Sequence, residues 1–390
     1  MRVLISTRMG AGHIGPMIPF AHALLRDNAE VLVAAPGSAA PMIVDAGLDH
    51  FPLPEPPQEG RAEIFAEARH MDWDDANRRV VSDMFIRMDA PANYPHVRCA
   101  IERFEADVVL FDIADFAASL AAEAAGVPAV SVAISLGLHM KTLGESIAEA
   151  LDEVREQIGL APDPELEYLS NAPSFTLLPE GLEAPEALVG SQPIRFRVPE
   201  PAEPRPLPAW WRNTEWPLVY LTFGSVAPTM DFFPKLYREA IDALSVLPVR
   251  LLVTIGRDRD PAELGPVPPN VHVARWVPQA DVMPHAAAMV CHGGSGTVNA
   301  GLAAGVPMAV VPLFADQPHN ARRIAEIGAG VEIAPDAMVH LADAVRALLA
   351  VPSYRRAAGR IAEETRALPT VDTAAQILRD LAYNQPRSVA

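Results

Sequence analysis

The chain is predicted to be a doubly wound α/β protein made of two Rossmann-like domains that face a cleft. Three observations predict this. Short, continuous apolar runs alternate with helix-patterned stretches, as in parallel strands buried on both faces. The alternation stops at a Pro-rich segment, 199–217, and then restarts. A chain of 390 residues also exceeds one ordinary hydrophobic core.

In the first half, "RVLIST" (2–7) is a strand followed by the loop "GAGHIG" and the helical stretch "PMIPFAHALLRD". "EVLVAAP" (30–36) is the second strand; "APMIVDAG" and a Pro-rich connection ending near Gln58 follow it. Residues 61–104 are largely helical, with Trp73, Met84, Phe85 and Met88 set among charges. "DVVLFD" (107–112) is a buried strand, "DFAASLAAEAAG" an Ala-rich helix and "VPAVSVAI" (127–134) the next strand. The six prolines of "PEPAEPRPLPAWWRNTEWP" (199–217) exclude helix interior and central strand, so this is the interdomain linker. Trp210, Trp211 and Trp216 are read as linker packing.

The second half repeats the plan. Its strands are "LVYLTFGS" (218–225), "RLLVTIG" (250–256), "VHVARW" (271–276), "AMVCH" (288–292) and "VPMAVVPL" (306–313), with a helix over about 230–246. The N-terminal domain therefore spans 1–198 and the C-terminal one 218–370. Helices from about Leu341 end in an amphipathic tail, 371–390, a candidate to return to the first domain. Ligands of such sheets bind beyond the carboxyl ends of the strands.

A formal charge of −18 argues against nucleic acid and anionic membrane surfaces as partners. Two cysteines, Cys99 and Cys291, stand far apart, which excludes a disulfide framework and suits a reducing cytoplasm. No stretch approaches the ~18 consecutive apolar residues of a membrane span. "MRVLIST" lacks a signal-peptide pattern, so a cytoplasmic protein is expected.

"CHGGSGT" (291–297) lies between a strand and a helix. A glycine-rich turn there aims bare N–H groups at one point, and the helix dipole adds partial positive charge, so it is an anion site. "GAGHIG" (10–15) matches the dinucleotide fingerprint through Gly10, Gly12 and Gly15. The second strand, however, ends at Pro36 and Gly37 rather than at a ribose-binding acid. His13 has no role in that fingerprint. It suits a general base, with Asp112 as its orienting carboxylate and Asp115 in reserve. A histidine bonded to backbone and a capping aspartate remain the alternative reading.

Residues 276–317 carry W-x-P-Q, H-x-G, G-V-P and D-Q in order. This resembles the donor-binding signature of the nucleotide-sugar-dependent glycosyltransferases of GT-B fold, plant and antibiotic-tailoring enzymes among them. "GHIGP" and "TFGS" (222–225) resemble that family's first-domain loop and second-domain strand-turn. The resemblance implies that the Trp276 indole stacks on the nucleobase, the Val277 backbone reads its edge and Gln279 bonds the pentose or base. It implies that His292 and the amides around Gly294 and Gly296 grip the diphosphate, with Ser295 and Thr297 at the first helical turn. Gly224 and Ser225 approach from the neighbouring loop, and Asp316 and Gln317 bond sugar hydroxyls. His13 is then the base and Asp112 its partner.

There are departures. The plant members' ribose-chelating glutamate is Ala300 here, beside Asn299, which leans towards a deoxyribose donor such as a thymidine-diphosphate sugar, with uridine open. H-G-G-S-G-T also lacks the bulkier side chains of the plant loop, as in the bacterial natural-product branch. "DRD" (258–260) matches the metal motif of the other glycosyltransferase class, but its charged loop reads as a solvated turn. No metal and no cofactor is expected beyond the nucleotide-sugar co-substrate.

The expected reaction is inverting transfer to a hydroxyl of a hydrophobic small molecule. Met9, Trp73, Met84, Phe85, Met88, Phe116 and Met140 are candidates for its pocket. A homodimer is compatible with this reading. A silent nucleotide-sugar-binding accessory protein and an epimerase of the same fold remain the rivals.

Overall fold

The computed structural model describes residues 1–188, 192–199 and 215–384. The chain divides into two compact units: 1–177 with 185–199 and 369–390, and 178–184 with 200–368. Each is an α/β/α sandwich on a parallel sheet. Most of the expected linker falls outside the described residues, as do Trp210 and Trp211; Trp216 is exposed and its carbonyl accepts from Arg250.

The first unit's strands are β1 (Arg2–Ser6), β2 (Glu30–Pro36), β3 (Asp49–Leu53), β4 (Val108–Asp112), β5 (Ala129–Ala133), β6 (Ser174–Thr176) and β7 (Ile194–Arg195). Their order is β3-β2-β1-β4-β5-β6-β7. Alternate residues of β1 feed two core layers. Val3 and Ile5 meet the helix Ala11–Arg26 through Met17 and Phe20, and the C-terminal helix through Ala375 and Leu378. Leu4 faces the opposite layer with Val97, Phe116 and Leu120. The C-terminal segment is held further by Arg26, which donates to Asp372.

The second unit's strands are β8 (Leu218–Thr222), β9 (Arg250–Thr254), β10 (Val271–Ala274), β11 (Ala286–Cys291), β12 (Met308–Val310) and β13 (Gly330–Glu332), in the order β10-β9-β8-β11-β12-β13. Val219 and Leu221 of β8 pack against the helix Lys235–Ser245 through Tyr237 and Ile241.

The two sheets share a topological consequence. Strand order reverses direction between β1 and β4, and again between β8 and β11, so each pair's carboxyl ends open a crevice where ligands of such sheets bind. Ser6 pairs with Phe111 and Thr222 with Cys291. Hence Thr7 emerges beside Asp112, and Phe223 beside His292.

Three differences from the sequence reading stand out. The helix after β1 already begins at Ala11, so His13 rides on its first turn rather than in a loop. The expected helix over 230–246 begins only at Lys235. Residues 80–89 form a π-helix, wound wider than the α-helices on either side. Among the described residues, no helix is long and apolar enough to cross a membrane.

Candidate active site

At the first crevice, the Asp112 carboxylate accepts from Nδ1 of His13 at 2.6 Å. Asp112 is fully buried and also accepts the Ala114 N–H at 3.0 Å, so its position is fixed twice. The His13 side chain keeps 24% of its surface exposed. With the proton held on Nδ1, Nε2 is left bare to take one from a ligand, the arrangement of a positioned general base. The reserve candidate, Asp115, instead accepts from Ser6 Oγ at 2.6 Å and caps the helix Phe116–Ala125. Burial pushes its carboxyl up to about 6.

Near this pair lies a narrow recess that opens to solvent. Met9, Phe85 and Phe116 line it, three of the seven residues expected to form an acceptor pocket. The other four are not brought there. Met84 is buried core, Trp73 is exposed on the helix Trp73–Arg79, Met88 lies near Gly60, and Met140 packs against the core layer behind β4.

At the second crevice, the helix Ser295–Ala303 starts from Gly294, directly after β11. Its first N–H groups have no helical partners and point out of the helix end. The His292 imidazole is wedged between two glycines. A Cβ at Gly224 would come within 2.6 Å of its Nε2, and one at Gly294 within 2.5 Å. Gly224 also has φ +77°, a conformation few other residues adopt. Nδ1 of His292 is buried without a partner, and burial lowers its pKa to about 4. The ring is therefore neutral at pH 7 and offers a hydrogen bond rather than a charge.

Asp316 receives hydrogen bonds from Ser295 Oγ at 2.6 Å and from Asn320 Nδ2 at 2.9 Å. Asn320 Nδ2 also reaches the Gly293 carbonyl at 2.7 Å. It ties the glycine-rich loop to the D-Q turn, a role no sequence motif singled out. Gln317 is 2% exposed, and its Oε1 accepts the N–H groups of Leu313 and Phe314 at 2.8 and 3.1 Å, which leaves its Nε2 as the group free to donate. The Ser295 hydroxyl is likewise engaged with Asp316.

Gln279 opens a short helix and donates to Thr297 Oγ1 at 3.3 Å, which draws the W-x-P-Q segment to the helix start. Trp276 is 51% exposed, and the Arg257 guanidinium covers one face of its indole at 4.0 Å. Ser225 is exposed on the loop after β8. Asp260 caps the turn Pro261–Leu264 through a capping box with Glu263, which gives the D-x-D run a structural role. Cys291 beneath the loop is buried, which pushes its thiol up to about 12.

Comparison with known proteins places these features in context. Residues 238–381 match the family described as "Erythromycin biosynthesis protein CIII-like, C-terminal domain". The chain is 31% identical to the elloramycin glycosyltransferase ElmGT of Streptomyces olivaceus, covering 97% of each chain. It is 29% identical to 4'-demethylrebeccamycin synthase of Lentzea aerocolonigenes, over 97% of this chain and 99% of that one. Among solved structures, glycosyltransferase VinC in complex with dTDP superposes with a TM-score of 0.79 at 24% identity, covering 99% of this chain and 100% of that one. SnogD from Streptomyces nogalater gives 0.77 at 25%, covering 98% and 99%.

Proposed function

Since the chain belongs to the antibiotic-tailoring glycosyltransferases and has their GT-B fold, we propose that it moves a sugar, with inversion, from a thymidine-diphosphate donor to a hydroxyl of a hydrophobic small molecule. The observation that carries this reading is the His13–Asp112 pair at the mouth of the first sheet.

The acceptor hydroxyl gives its proton to Nε2 of His13 as its oxygen attacks the anomeric carbon. The bond from that carbon to the diphosphate oxygen breaks on the opposite face, which inverts the configuration. Asp112 holds the imidazole in the competent tautomer and stabilises the imidazolium. General-base catalysis of this kind contributes about 10²–10⁴-fold. The departing diphosphate is held by the helix N-terminus at Gly294–Gly296, by Thr297 and by His292. Electrostatic stabilisation by fixed dipoles needs no metal.

Two facts support thymidine over uridine. Ala300 offers no carboxylate to a ribose 2'-hydroxyl, and the VinC structure contains dTDP. A binder without catalysis has no use for the His13–Asp112 pair. An epimerase has none for the lined recess.

The test is incubation of the purified protein with a thymidine-diphosphate sugar and a panel of aromatic and macrocyclic alcohols, read by mass spectrometry and anomeric NMR. An inverted glycoside supports the proposal. A retained anomer refutes the direct displacement, and an altered donor without glycoside favours the epimerase.

A further inference from the structure

The recess beside His13 has a polar end that the transfer chemistry does not use. Arg8 and Arg61 share one carboxylate, Asp89, which is almost fully buried. Arg8 Nη2 donates to Oδ2 at 2.8 Å and Arg61 Nη1 to Oδ1 at 2.7 Å. The Arg8 guanidinium carbon also lies over Phe85, 3.6 Å from the ring centroid. Phe85 in turn meets the His13 imidazole edge-on, with centroids 6.4 Å apart. Phe85 therefore packs against both the guanidinium and the base.

Two guanidinium groups share one carboxylate, and Arg8 spends only its Nη2 on it, which leaves further N–H donors for another acceptor. Such a cluster returns little stability for its desolvation unless a further acceptor joins it. Asp115, also on the recess, balances part of the Arg8 charge through space, but its oxygens take hydrogen bonds from Ser6 and Ala118 rather than from Arg8. Asn93 lines the same recess, and its Oδ1, an acceptor, is buried without a partner, so it is open to an O–H or N–H of a bound molecule and not to the oxygen that Arg8 would bind. Phe85 and Asp89 both sit on the π-helix Val80–Asp89. Such widened turns are rare and frequent at functional sites.

We propose that Arg8 is a specificity-determining residue of the acceptor site, binding an oxygen substituent (a carbonyl or a carboxylate) on an aromatic acceptor whose hydroxyl is presented to His13. This rests on the transferase reading above and adds a substrate class to it. Arg8 is held in place by Asp89 and Phe85, so its remaining N–H groups meet such an oxygen without reorganising.

The test compares kcat/KM for wild type and Arg8→Gln with three acceptors: 2-naphthol, 3-hydroxy-2-naphthoate and the corresponding 3-acetyl compound. A charge-assisted hydrogen bond predicts a preference of ~10- to 100-fold for an oxygenated acceptor over 2-naphthol in wild type. Arg8→Gln should bring that ratio close to one. Preference for the naphthoate alone identifies charge as the feature read, and preference shared with the acetyl compound identifies hydrogen bonding; both support the proposal. A ratio unchanged in Arg8→Gln, or a uniform fall on all three acceptors, overturns it and makes the cluster structural. If wild type turns over none of the three while thymidine diphosphate still raises its melting temperature, the acceptor class is wrong and the transferase reading stands. Loss of nucleotide binding as well refutes the reading beneath it.

Discussion

Replacing Gly294 with alanine puts a methyl group where the His292 imidazole now sits. The backbone tolerates the change, since Gly294 has φ −60° and ψ 137°, a region open to any residue. The new Cβ, however, would lie 2.5 Å from Nε2 and 3.1 Å from Cε1, against the 3.4 Å where ordinary contact begins. The ring must move by about 1 Å, and Gly224 closes in on it from the other loop. A shift of that size takes a hydrogen bond of ~2.9 Å out of range. Losing a hydrogen bond to a charged group costs ~1.5–3 kcal/mol, or about 10- to 100-fold in affinity. The assay is calorimetric titration with thymidine diphosphate on wild type, Gly294→Ala, His292→Ala and the double variant. Overpacking adds ~1–3 kcal/mol of destabilisation, so a melting curve accompanies each variant. The double variant should bind no worse than His292→Ala, because both changes remove one contact. A folded Gly294→Ala protein that binds within twofold of wild type, or additive losses in the double variant, would refute His292 as a diphosphate ligand.

Other consequences follow from the same geometry. His13→Ala should lower transfer by at least ~10²-fold while leaving thymidine diphosphate affinity unchanged. Asp112→Asn should do likewise, because an amide holds the wrong tautomer; both are read by initial rates beside a titration. His292 titrates near 4 when folded against an ordinary 6.5, so the unfolded chain takes the proton first as pH falls. The folded state therefore loses up to about 3 kcal/mol between those values. Between pH 7 and pH 4.5, denaturant curves should show wild type losing about that much more stability than His292→Gln, since the opposite contribution of the raised Asp115 carboxyl is common to both. An equal slope in both would contradict the assignment. Ala300→Glu should raise affinity for uridine diphosphate over thymidine diphosphate by about tenfold, roughly one charge-assisted hydrogen bond; an unchanged ratio in a competition titration would remove the ribose argument.

How much of this was legible in the sequence depended on element length and on what each residue touches. Every strand with four or more continuous apolar residues between turn signals was readable, β2 to the residue. β3 was not, because "DHFPL" carries Pro52 and alternates; it is an edge strand, where a missing N–H is tolerated. β6, β7 and β13 have two or three residues each, too few to show a period. The pairing of His13 with Asp112 was within reach because both follow strands that a doubly wound sheet sets side by side. Asn320 and the Arg8–Asp89–Arg61 cluster were not. Their meaning comes from partners between 25 and 81 residues away, and no local spacing records those contacts. The burial of Gln317 was equally hidden, since a D-Q pair reads the same whether its amide faces a sugar or its own backbone.

The measurement closest to the central claim is a crystal structure of the chain soaked with thymidine diphosphate. It should show the pyrophosphate at the N-terminus of the helix Ser295–Ala303, within hydrogen-bond reach of His292, and the pyrimidine stacked on Trp276. Nucleotide bound at any other place, or a pyrophosphate out of reach of that imidazole, would contradict it.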